Sequence, residues 1–75
     1  MKFECDFDDP DDRGHQVTIP VTLTAGEIKA INCLRRDGDP HVEVKVKAYA
    51  LRHAYAIAPS GFQHIQGGIR QLVTH

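Results

Sequence analysis

Serine occurs once in this chain and cysteine twice, and these two scarcities remove most nucleophilic chemistry at the outset. Ser60 lies between Pro59 and Gly61, a turn setting, with no G-x-S-x-G elbow around it. Cys5 and Cys33 can form at most one bridge. The N-terminal residues have neither the basic start nor the apolar stretch of a secretory signal, so reduced thiols in a cytoplasmic protein are expected. Cys33, Asp37 and His41 supply the residue types of a Cys/His/Asp triad. Triads are defined by geometry rather than composition, and a small buried thiol is the simpler reading. No catalytic residue and no enzymatic activity are expected. Long apolar runs are missing as well. The longest, Ala54 to Ala58, has five residues, whereas a bilayer span needs about 18, so a soluble protein with no membrane partner is expected.

Metal-ligand spacings are also lacking, despite five histidines, His15, His41, His53, His64 and His75. None forms the H-x-H, H-x-x-x-H or C-x-x-C pairs that place two ligands side by side. The acidic run Asp6, Asp8, Asp9, Asp11, Asp12 offers oxygen ligands without the EF-hand frame, because a loop starting at Asp6 would need glycine at Asp11 and glutamate at Val17. No metal and no cofactor are expected. A histidine site assembled from separate elements is kept as a second alternative.

What remains is ordinary globular composition, 41% hydrophobic and 25% charged with net charge -1. Seventy-five residues make one domain, 1–75. Ordering such a chain costs on the order of 100 kcal/mol of conformational entropy, so its stability is marginal unless packing or a partner adds to it. The net charge conceals an asymmetry. Residues 1–26 carry six acids against Lys2 and Arg13, for -4; residues 27–75 carry seven bases against four acids, for +3. Such a dipole bears on partner choice.

Phe3, Cys5 and Phe7 alternate with Glu4, Asp6 and Asp8, and Val17, Ile19, Val21 and Leu23 alternate with polar residues. Period two predicts strands over 2–8 and 15–23, joined by the turn-forming Asp9-Pro10-Asp11-Asp12-Arg13-Gly14. Pro20 has no N–H to donate, which makes the second strand an edge or puts a bulge in it. Thr24-Ala25-Gly26-Glu27 is a capping box. It opens a helix with the stripe Ile28, Ile31, Leu34, with Arg35 and Arg36 in its last turn and Gly38 as its stop.

Residues 41–58 read two ways. Val42, Val44 and Val46 alternate like a strand. Asp39 as N-cap, Pro40 at the first helical position and a Glu43/Lys47 pair read as a helix. The helix is favoured for at least 46–58, with strand-then-helix as the variant. A helix there carries large apolar groups on two faces, Val44/Leu51/Tyr55 and Val42/Val46/Tyr49/Ile57. Gly67-Gly68 predicts the turn of a short C-terminal hairpin.

The fold class expected is α+β: an N-terminal hairpin, one capped helix, a longer helix and a short C-terminal β segment. The function expected is a small protein-interaction module, either a homo-oligomer or a binder of another protein. Val42, Val46, Tyr49 and Ile57 form its contact face. The alternative is a nucleic-acid-binding regulator using Arg35, Arg36, Lys45, Lys47 and Arg52, although a pI near 6.5 is low for a domain that grips phosphates.

Overall fold

In the computed structural model, which describes residues 1–73, the chain runs β1 (Lys2–Asp8), β2 (Gln16–Thr22), α1 (Ala25–Arg36), α2 (Val42–Ile57) and β3 (Gln63–Leu72). The class is α+β. The three strands form one antiparallel sheet in the order β2-β1-β3. β1 is central, paired with β2 along one edge and with β3 along the other. Phe3, Cys5 and Phe7 pair with Val21, Ile19 and Val17 on one face, and that face is buried under the helices. Glu4, Asp6 and Asp8 fall on the open face. Pro20 sits on β2, an outer strand, where a missing N–H leaves the central ladder intact.

The β1–β2 connection is closed by its own backbone. The Asp9 N–H donates to the His15 carbonyl at 3.1 Å and the Asp12 N–H to the Asp9 carbonyl at 3.2 Å. The Asp9 carboxylate accepts from the Asp11 N–H at 3.0 Å.

α1 begins where the capping box places it. The Glu27 N–H donates to the Thr24 hydroxyl at 3.2 Å and the Thr24 N–H to the Glu27 carboxylate at 2.8 Å. The helix ends at Gly38, whose φ of +71° only glycine takes without strain. The Gly38 N–H donates to the Arg35 carbonyl and the Asp39 N–H to the Leu34 carbonyl, the paired bonds of a Schellman stop. That stop corrects the expected start of α2. Asp39 is committed to ending α1, so it does not cap α2, and the N-cap is His41, which makes no side-chain cap bond. The Asp39 carboxylate accepts instead from the His41 N–H at 2.8 Å and from Lys45 Nζ at 3.3 Å. Both bonds hold its acid below the usual carboxylate range, the backbone bond more strongly.

Residues 42–57 are helical throughout, so the strand variant for 41–47 does not hold. The buried positions are Val42, Val46, Ala50 and Ala54, one every four residues along a single stripe. α2 packs on α1, β2 and β1. Alanine at 50 and 54 presents only a methyl, which lets the helix approach its neighbours closely.

The expected C-terminal hairpin is absent. Residues 63–72 form one strand against β1, interrupted by a bulge. From His64 to Ile69 β3 takes five steps while β1 takes two, from Phe7 to Cys5. Gly67 occupies φ +79° in this bulge, so the glycine pair that suggested a turn serves to loop out the extra residues.

Candidate interaction surface

The chain is elongated, 44 × 26 × 19 Å with a radius of gyration of 13.6 Å, against about 11 Å for a compact chain of this length. Its apolar surface is therefore covered incompletely. Val44 is 65% exposed, Ile57 62%, Tyr55 54%, Leu72 37% and Val73 80%. Val44, Leu51 and Tyr55 share one stripe of α2 at i, i+7 and i+11. Tyr55 fixes which side that stripe is on. Its ring meets Phe7 edge-on at 4.9 Å, and its hydroxyl accepts from the His64 N–H at 3.4 Å. His64 lies on β3, so the stripe borders the side of the sheet that α2 leaves uncovered.

Of the four residues expected to form the contact face, Val42 and Val46 are in the chain's own core. They are the first two members of the every-fourth-residue stripe and are unavailable to a partner. Tyr49 is half-buried with the Arg52 guanidinium 5.5 Å from its ring centre, and Ile57 is exposed at the end of α2. The two faces thus exchange roles: the Val42/Val46 side is covered from within, and the Val44/Leu51/Tyr55 side is left over. Alanine explains the exchange, because Ala50 and Ala54 complete the buried stripe without appearing among the large apolar residues.

The five cations expected to contact nucleic acid are dispersed. Lys45 and Arg52 line a shallow open groove of ≈ 390 Å³ with Ala48 and Tyr49. Lys45 is paired with Asp39 at 3.3 Å and Arg52 with Glu27 at 3.7 Å. Arg35 and Arg36 are in the last turn of α1, and Lys47 is about 200° around α2 from Lys45.

No protein-family model, curated protein or solved structure matches this chain. What the surface does must be read from its own chemistry.

Among the described residues one set of three ligand-bearing side chains converges, Asp9, Asp12 and His15 in the β1–β2 connection. His15 Nδ1 lies 3.5 Å from an Asp9 oxygen and 4.0 Å from an Asp12 oxygen, and its ring meets Phe62 edge-on at 5.4 Å. Asp12 and His15 are exposed. Cys33, exposed on α1, does not converge with Asp37 and His41; it is Cys5 that is buried, and burial pushes its thiol pKa up. His75 lies outside the described residues.

The best-connected polar group is Glu27. Besides capping α1 it lies 2.7 Å from His53 Nε2, tying the start of α1 to the second half of α2. The backbone N–H of Thr24 and then His53 hold its acid down at about 2, against the opposing effect of desolvation. A lowered folded-state pKa stabilises above the unfolded value, near 4.5, and that contribution disappears as pH falls toward about 2. Acid titration followed by circular dichroism should show wild-type stability declining through this window, and Glu27→Gln should flatten the decline. Thr24→Ala, which removes half of the capping box, should cost about 1 kcal/mol in denaturant unfolding.

Proposed function

We propose that this chain is a small non-enzymatic protein-interaction module that self-associates through the uncovered flank of α2 and the adjoining β3. The observation that supports this reading is the exposed pair Val44 and Tyr55 on one stripe of α2 on a chain whose size makes stability marginal. Large apolar side chains exposed together mark a contact surface more often than scattered single ones do. The same surface in an isolated chain would stay hydrated at a cost that a second chain removes.

Sedimentation tests the reading. Wild-type protein should shift from monomer to dimer as concentration rises into the hundreds of micromolar. Val44→Asp should remain monomeric with an unchanged circular dichroism spectrum, because Val44 contributes nothing to the buried core. A wild-type monomer at the highest attainable concentration would overturn the proposal.

A further inference from the structure

Independently of self-association, we propose that the β1–β2 connection is a binding site for a divalent transition-metal ion, with Asp9, Asp12 and His15 as its ligands. The three donors face a common gap. His15 Nδ1 stands 3.5 Å from an Asp9 oxygen and 4.0 Å from an Asp12 oxygen, and all three donor atoms lie within 4.8 Å of one another. Those separations are longer than an N–H···O hydrogen bond of about 2.7–3.2 Å. They approach the spacing of ligands around one ion, because two donors each about 2.1 Å from a tetrahedral zinc are about 3.4 Å apart.

The folded turn holds the donors in place. The Asp9 carboxylate spends Oδ1 on the Asp11 N–H at 3.0 Å, which leaves Oδ2 turned toward the imidazole. The His15 N–H donates to the Asp12 carbonyl at 3.1 Å, and the Asp9 N–H closes the loop on the His15 carbonyl, so the backbone of all three residues is tied together. Phe62 meets the His15 ring edge-on at 5.4 Å and restricts its rotation. Asp9 is half-buried, whereas Asp12 and His15 are exposed and can close onto an ion by side-chain rotation alone. An ion held by three such donors keeps its remaining positions open to water.

The donor set selects the ion. An imidazole nitrogen suits zinc, nickel or copper, whereas calcium asks for six to eight oxygens. Asp6, which would begin a calcium loop, is occupied on the sheet by Arg70 and Thr18. Two carboxylates balance the charge of a dication, and Asp8 and Asp11 add negative charge nearby against Arg13 alone, which concentrates cations at this end of the molecule. The ligands are spaced D-x-x-D-x-x-H, a pattern that only the turn brings together.

Zinc chloride titrated into the tag-free full chain and followed by heteronuclear NMR tests the site, in a Cys33→Ser background that removes the exposed thiol. Saturation at one equivalent is expected, with the largest shifts confined to residues 9–15 and the His15 ring. His15→Ala and Asp12→Ala should each weaken binding by on the order of tenfold or more with an unchanged circular dichroism spectrum, since both side chains are exposed. No shifts at millimolar zinc would overturn the proposal. So would equal affinity in His15→Ala, which would put the ion elsewhere, or calcium chloride binding as tightly as zinc, which would leave the imidazole without a role.

Discussion

Phe7→Ala should reduce the unfolding free energy by about 3–5 kcal/mol, most of the stability that a domain of this size has. Phe7 is the largest of the fully buried side chains. It stands in the central strand, so its ring is enclosed from several directions. Tyr55 of α2 meets it edge-on at 4.9 Å and His64 of β3 at 5.6 Å. Truncation removes the transfer energy of the ring and leaves a cavity whose walls are a helix and two strands that cannot all move inward. It also strands Tyr55, whose ring would have only solvent on that side. Urea unfolding monitored by circular dichroism should show the midpoint falling sharply or the variant unfolded without denaturant. An unchanged midpoint would show that the packing between α2 and the β1–β3 end of the sheet contributes little.

Gly68→Ala should be the second largest effect, about 1–3 kcal/mol of strain, although it adds only one methyl. A Cβ at residue 68 would lie 3.0 Å from the Asp6 Cβ and 3.0 Å from the Ile65 carbonyl oxygen. The oxygen belongs to the backbone of the bulge, and Asp6 belongs to the central strand, where its carboxylate is fixed by Arg70 and Thr18. Neither neighbour can yield cheaply. The bulge must therefore open or the Asp6–Arg70 pair must shift. Gly67→Ala tests a different constraint at the neighbouring position, the positive φ rather than the space. Equal thermal midpoints for Gly68→Ala and wild type would mean that the bulge adapts freely, contrary to the contact geometry.

The hairpin and α1 were legible in the sequence because each is specified locally. Alternation defines β1 and β2, Pro20 identifies the outer strand, and Thr24, Glu27 and Gly38 mark the two ends of a helix within fifteen residues. α2 was harder to read because three valines at alternate positions suit either structure. Its buried stripe passes through two alanines whose role is to be small, which a search for large apolar groups does not find. That same omission placed the contact face on Val42 and Val46. The C-terminal strand was misread for a different reason: its register is imposed by β1, some sixty residues away, and the glycine pair that resembles a turn is used to absorb a mismatch in length. The convergence of His15 with Asp9 and Asp12 depends on the folded turn, and the Glu27–His53 contact joins residues 26 positions apart, so neither leaves a short-range trace.

The central position of β1 also has a consequence for the order in which the molecule can assemble. One neighbour of β1 follows it directly, whereas the other comes from the far end of the described chain, with Ile69 meeting Cys5 from 64 positions away. During synthesis β1 and β2 can pair early, but the other side of β1 stays open until both helices have been made. Closing so long a loop is entropically slow. In that interval the exposed edge of a half-built sheet is the part of the molecule most vulnerable to wrong partners.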